Sequence, residues 1–96
     1  MGPRTKELVE MLGHLVKLLE RDGQGHWANW MQKAKLMLES SDYAGIEKVL
    51  SAYGGMGSFN DVGLSLGELE NQQFSEFSTR AYNLAEEIRR SNESNT

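Results

Sequence analysis

A leucine stripe near the start of the chain constrains the fold more than any other feature. Leucines recur at spacings of four, three and four residues, at Leu8, Leu12, Leu15 and Leu19. This spacing is typical of one face of an α-helix, and neighbouring valines, methionine and leucine widen the apolar arc to about half the circumference. We expect the helix to follow Thr5 as its N-cap and to end at Gly23. A face this wide should contact more than one other element.

Three later segments repeat the helical pattern, at about residues 26–39, 43–53 and 71–90. We expect Ser41 or Asp42 to cap the second of these segments, and Gly54 to end it in a left-handed conformation. The apolar stripes are Trp27, Met31, Ala34 and Leu38; Ile46, Val49, Leu50 and Tyr53; and Phe74, Phe77, Ala81, Leu84, Ala85 and Ile88. Trp30 lies beside the first stripe, and we interpret both tryptophans as core fillers rather than a stacking platform.

A glycine-rich corner, Tyr53-Gly54-Gly55-Met56-Gly57-Ser58-Phe59-Asn60-Asp61, separates the third helical segment from the last. The order Ser-x-x-Asp within it matches a capping box. We expect a capped turn that directs Phe59 and Met56 into the core and leaves Asn60 and the backbone open to a partner. The run has no Lys or Arg to match a phosphate, and no histidine is placed to activate Ser58, so anion binding and catalysis are both disfavoured.

Residues 62–67 fit two patterns, because their apolar positions match either a short helix or a short alternating strand. Their two glycines weaken a helix, and we expect an irregular one. The sequence therefore predicts an all-α single domain over residues 1–96. This domain is a small antiparallel bundle of four main helices with a glycine-rich corner and a short extra helix after it. Residues 1–4 and 91–96 should fray.

The composition excludes several classes of function. The 96 residues contain no cysteine, which removes disulfides, thiolate nucleophiles and cysteine-based metal sites. The two histidines lie in separate patterns, so we expect neither a metal nor a cofactor. No segment has the roughly 20 apolar residues of a membrane span, and a cytoplasmic protein without nucleic-acid binding is expected.

Charge is unevenly distributed along the chain. Residues 1–35 carry six Lys and Arg against four Asp and Glu, whereas residues 36–96 carry four against ten. The second part therefore has a net charge of −6, which would repel nucleic acid and attract a basic partner, or would simply keep the surface solvated. We predict that a partner would contact Glu39, Asp42, Glu47, Asn60, Asp61, Glu68, Glu70 and Glu76.

Several of these motifs resemble a family of small bacterial helical proteins of uncharacterised function. The resemblance is carried by Trp27-Ala28-x-Trp30, by Asp42-x-x-Gly45, by the whole glycine-rich corner and by Ala81-Tyr82-x-Leu84-Ala85. The signature residues are Trp27, Trp30, Tyr53, Gly54, Gly55, Met56, Gly57, Ser58 and Phe59. The resemblance implies an all-helical fold and a bacterial origin, and it implies no known reaction.

These observations predict a protein-binding module without enzymatic activity. Its concrete form is an immunity or antitoxin-like protein whose acidic face neutralises a basic bacterial toxin. One alternative is a homodimeric structural or regulatory subunit that pairs through the first helix or the tryptophans. Another is a ligand-binding protein or small hydrolase that uses Ser58, Asn60 and Asp61 beside a tryptophan.

Overall fold

Four α-helices make up most of the computed structural model, which describes residues 2–54 and 58–91 apart from the side chain of Asp61. The helices are α1 (Pro3–Arg21), α2 (Gly25–Glu39), α3 (Ala44–Ser51) and α4 (Glu68–Ser91), with a 3₁₀ turn at Phe59–Asp61 before α4. The described residues contain no strand. The all-α class is confirmed.

The helices run alternately up and down and form a closed ring. Helix α1 packs on α2 and α4, and α3 packs on the same two helices from the other side. Ion pairs show that α1 and α4 are antiparallel, because Arg4 meets Glu87 near one end while Arg21 meets Glu70 near the other. The short connections after α1 and α2 favour antiparallel neighbours, whereas the longer segment 52–67 joins α3 to α4.

The leucine stripe of α1 lies at the centre of the core. Its four leucines are fully buried between α2 and α4, which are the two elements that its wide apolar face requires. Gly45 lets α3 approach α2 closely, because a Cβ at that position would lie 2.9 Å from Leu38 Cγ and 3.0 Å from the Ala34 carbonyl oxygen. The other fully buried large side chains include Met31, Leu38, Val49, Phe59, Leu84 and Ile88.

The predicted start of α1 is wrong. Gly2 is the N-cap and Pro3 occupies the first turn, so Thr5 is a buried residue inside the helix and residues 3 and 4 are helical rather than frayed. Proline suits this position, because its fixed φ matches the helix and its missing N–H would have no partner there. Residues 92–96, also expected to fray, lie outside the described residues.

Helices α1 and α2 end in the same way. After α1, Gly23 has φ 74° and its amide donates to Glu20, while the Gln24 amide donates to Leu19. This is a Schellman motif, and the predicted stop is confirmed. After α2, Ser41 takes the left-handed position with φ 62°, and Asp42 Oδ1 accepts from the Ala44 amide ahead of α3.

Four predictions around the corner are wrong. Helix α3 ends at Ser51 rather than Tyr53, and Gly54 is not left-handed, because Ala52 already caps the helix in a right-handed conformation. Residues 62–67 form neither the expected irregular helix nor a strand. Helix α4 begins at Glu68, before the predicted Asn71, and its first turn buries no apolar side chain, since Leu69 there is 63% exposed.

Candidate binding surfaces

The glycine-rich corner is closed by hydrogen bonds between its two ends. The Phe59 amide donates to the Ala52 carbonyl at 2.8 Å, and Asn60 Nδ2 donates to the Tyr53 carbonyl at 3.1 Å. Ser58 Oγ accepts from the Asn60 amide at 3.3 Å and caps the 3₁₀ turn; a capping box would involve the amide and side chain of Asp61 instead, and that side chain is not described. Gly55, Met56 and Gly57 lie outside the described residues, and so does the predicted core position of Met56.

Phe59 anchors the corner in the bundle. Its side chain is 1% exposed, and its ring lies 5.4 Å from Trp27 on α2 and 5.3 Å from both Tyr53 and Phe74. Such edge-to-face contacts favour a fixed geometry. The expected inward direction of Phe59 is confirmed, and Trp27 and Trp30 pack partly buried against the core.

A groove of about 300 Å³ runs between the corner and α4. Phe59 and Asn60 line one wall, and Asn71, Ser75 and Thr79 line the other. None of the described side chains that line it is charged, and the side chain of Asp61 is not among those described. The groove therefore offers amide and hydroxyl groups around an aromatic floor, which suits hydrogen bonding to a polypeptide rather than acid–base chemistry.

Ser58 lies beside this groove but does not line it. Its side chain is buried, at 7% exposure, and its hydroxyl is occupied by the turn. A nucleophilic serine needs a base within hydrogen-bond reach, and among the described side chains none bonds to Ser58 Oγ. The hydrolase alternative thus lacks its activating group in the part of the chain that the structure describes.

The predicted partner-binding carboxylates do not form one compact face. Glu39 and Asp42 lie at the turn between α2 and α3, whereas Glu68 lies in the first turn of α4. Glu47 on α3 lies close enough to Arg89 to help raise the pKa of that guanidinium, after the larger effect of the Glu86 hydrogen bond. Residues 68 and 89 are about 32 Å apart along α4 at 1.5 Å per residue, so Glu47 and Glu68 lie at opposite ends of the α3–α4 side.

The same carboxylates differ in whether a cation already neutralises them. Glu39 pairs with Lys35 at 3.4 Å and Glu70 pairs with Arg21 at 3.8 Å. Four others are exposed and form no ion pair with the described residues: Asp42, Glu47, Glu68 and Glu76. Asn60 is exposed at the groove, and the side chain of Asp61 is not described.

A second concavity of about 300 Å³ lies between α2 and α3 and has the opposite chemistry. It is lined by His26, Asn29, Trp30, Lys33 and Lys48. The four α2 residues follow a helical i, i+3, i+4, i+7 spacing, so the sequence held a signal for this side of the site. The sequence analysis missed it because Lys48 joins them only through the packing of α3 on α2.

Residues 20–68 match the family described as a domain of unknown function, DUF6966. The match spans half of the chain, so the protein belongs to this uncharacterised family. It runs from the end of α1 through α2, α3 and the corner to the start of α4, and therefore includes every residue that lines the second concavity. No curated protein and no solved structure matches the chain.

Two searches of the described residues gave negative results. No group of three or more His, Asp and Glu side chains in residues 2–54 and 58–91 is arranged to hold a metal ion. None of the described helices has both the length and the apolar character that crossing a membrane requires.

Proposed function

We propose that the chain is a protein-binding module for a basic partner protein. Its specific form would be a bacterial immunity or antitoxin-like protein that occupies the cationic site of a toxin domain. The observation that carries the proposal is the set of four exposed carboxylates without ion pairs, Asp42, Glu47, Glu68 and Glu76.

These carboxylates suit a partner because none of them forms a direct ion pair with another described residue; Glu47 does have a cation, Arg89, in its neighbourhood. A carboxylate that already forms an intramolecular ion pair must give up that cation to bind one from the partner. A carboxylate without an ion pair gains a new attraction on binding. Glu68 and Glu76 lie on α4, which lines the corner groove, whereas Asp42 and Glu47 lie on the turn before α3 and on α3 itself, outside the groove lining. Exposed charges placed in this way accelerate association more than they increase affinity, and salt weakens them.

The groove supplies the uncharged part of the proposed interface. Its hydroxyl and amide side chains can bond to a polypeptide backbone, and Glu68 lies one helical turn before Asn71 on the same side of α4. A basic segment laid in the groove would therefore meet a carboxylate at its end. Interfaces commonly combine such a groove with a charged rim.

A matched pair of charge reversals tests the proposal. The immobilised wild type should retain a basic protein from a lysate of the native cells at low salt and release it at moderate salt. We expect Glu47→Lys/Glu68→Lys to weaken retention at least tenfold. The control, Glu10→Lys/Glu20→Lys, makes the same change of net charge at two exposed, unpaired positions on α1 and should retain the partner.

Two results would contradict the proposal. One is the absence of any retained basic protein at low salt. The other is an equal loss of retention in both double variants, which would show that net charge alone, and not the α3–α4 side, controls binding.

A further inference from the structure

The concavity between α2 and α3 is a second candidate site, independent of the acidic side. We propose that it binds a small phosphate monoester, with Lys33 and Lys48 as the cationic ligands of the phosphate. The juxtaposition that carries the inference is two lysines from different helices at one aromatic-walled cavity, neither of which forms an ion pair with a described carboxylate.

Positive charge collects at this cavity in a chain whose net charge is −4. Lys33 from α2 and Lys48 from α3 line it together, and none of the described carboxylates lines it. Neither lysine forms an ion pair with the described residues, whereas the nearby Lys35 is paired with Glu39. The cavity therefore keeps two uncompensated ammonium groups, which attract a divalent anion.

The wall of the cavity holds Lys48 in place. Trp30 Nε1 donates to the Lys48 carbonyl at 2.9 Å, and the Lys48 ammonium lies 4.0 Å from the centre of the Trp30 ring. A cation–π contact of this kind limits the motion of a flexible side chain. The Lys48 side chain has thus already lost part of its conformational freedom in the unbound protein, so ligand binding costs less conformational entropy.

Hydrogen-bonding groups beside the lysines suit a phosphate rather than a simple halide. Asn29 offers an amide that can donate, and His26 offers a ring nitrogen that can donate. The ring of His26 is held at 4.8 Å from Trp27 in an edge-on contact. A phosphate group presents several acceptor oxygens, so ammonium and neutral donors on different sides of the cavity can bond to separate atoms, whereas a halide offers one acceptor atom.

Size and charge both favour a small ligand. A volume of about 300 Å³ lies at the lower end of the range for small-molecule sites. A nucleic acid would bring many phosphates towards a surface that is acidic elsewhere, and its repulsion would grow with every residue contacted. A monoester brings one phosphate and meets only the cationic cavity.

Nuclear magnetic resonance titration of the whole chain tests the site. Inorganic phosphate and glycerol 3-phosphate serve as probes, against sodium chloride at matched ionic strength. We expect saturable shifts of the Trp30 indole N–H, the Asn29 side-chain amide and the Lys48 amide with both phosphates, and none of these with chloride. The variant Lys33→Gln/Lys48→Gln should weaken phosphate binding at least tenfold.

Two further variants separate binding from structure. Lys6→Gln/Lys17→Gln removes the same charge from exposed, unpaired positions on α1 and should leave the titration unchanged. The single variant Lys48→Arg, with Lys33 unchanged, keeps a cation over Trp30 and should retain phosphate binding. It therefore tests the site even if Lys48→Gln disturbs the packing. Equal weakening in the α1 control would overturn the site.

Other outcomes also decide the question. Shifts of the same size with chloride would overturn phosphate recognition. A phosphoserine peptide that binds at least tenfold more tightly than glycerol 3-phosphate would overturn the assignment to a small molecule and favour a phosphorylated protein instead.

Discussion

At the scale of single residues, Tyr53 links the corner to α4 through a buried hydroxyl. The hydroxyl donates to the Ser78 carbonyl at 2.9 Å, and the ring contacts Tyr82 at 5.0 Å between centres. Burial raises the pKa of Tyr53 to about 12 from 10.0, and the hydrogen bond that Ser78 Oγ donates to the Tyr53 hydroxyl at 3.4 Å opposes this only in part. Tyr53 therefore contributes both a structural bond and a dependence of stability on pH.

We expect Tyr53→Phe to lower the free energy of unfolding by about 1 kcal/mol at neutral pH, because one buried hydrogen bond is lost. Above pH 10 the unfolded wild type loses the phenol proton while the folded state keeps it, so stability falls as pH rises towards about 12. The unfolding free energy of the wild type, relative to that of Tyr53→Phe, should therefore fall by more than about 1 kcal/mol between about pH 9 and about pH 11. Denaturant unfolding measures both effects.

Tyr82→Phe is the control for hydroxyl removal, because Tyr82 is 37% exposed. An equal loss of stability in both variants at neutral pH would contradict the role assigned to the Ser78 bond. A constant difference between wild type and Tyr53→Phe across the alkaline range would contradict the linkage.

At the scale of elements, residues 62–67 show how a segment without regular structure is fixed. Asn71 Oδ1 accepts from the Leu64 amide at 2.8 Å, and its Nδ2 donates to the carbonyls of Leu64 and Gly67. From the other side, Asp22 Oδ1 accepts from the Ser65 amide at 2.7 Å. Side chains of two helices thus replace the backbone bonds that a helix or strand would supply.

Removing Asn71 should loosen this segment more than the bundle. We expect Asn71→Ala to lower the free energy of unfolding by about 1–3 kcal/mol, because backbone groups of Leu64 lose their partners. Hydrogen exchange should accelerate most at residues 64 and 65, and least in α1. The control is Gln72→Ala, a change at an exposed neighbour, which should leave exchange in the segment unchanged. Uniform acceleration across all four helices would contradict a local clamp.

The same segment shows where sequence reasoning reached its limit. Helical stripes predicted α1 to α4, because burial imposes the same period that the helix has. The structure of residues 62–67 depends on Asn71 and Asp22, whose partners are set by tertiary contacts that periodicity does not record. The start of α4 was missed for a related reason, since Leu69 in its first turn is 63% exposed.

The candidate sites also differ in whether a local sequence pattern or only the tertiary fold reveals them. The sequence singled out Asn60 and Glu68, which the structure places at or beside the corner groove, because acidic and polar residues stand out within a local pattern. It missed the pairing of Lys33 with Lys48, because these residues are fifteen positions apart and meet only through the packing of α3 on α2. Sites built across helices need the fold before they can be recognised.

At the scale of the whole molecule, most large apolar side chains of the described residues are packed in the core of the chain itself. The α1 leucines and the tryptophans, which suggested a homodimer, pack into or against the core. Among the described residues, the large exposed apolar side chains are Leu36, Leu69 and Tyr82. Leu36 lies on α2, while Leu69 and Tyr82 are about 20 Å apart along α4 at the helical rise.

We therefore expect the isolated chain to sediment as a monomer at micromolar concentrations and moderate salt. A stable homodimer typically buries about 800 Å² or more on each partner around a contiguous apolar centre, and scattered single side chains do not supply one. The net charge of −4 adds a mutual repulsion that salt weakens, so the measurement is made at low and at high ionic strength. A sedimentation coefficient that rises with protein concentration at both ionic strengths would contradict this expectation and favour the homodimeric alternative. In a monomer both the corner groove and the α2–α3 cavity would remain accessible, so the basic partner and the phosphate monoester proposed above would not compete for one surface.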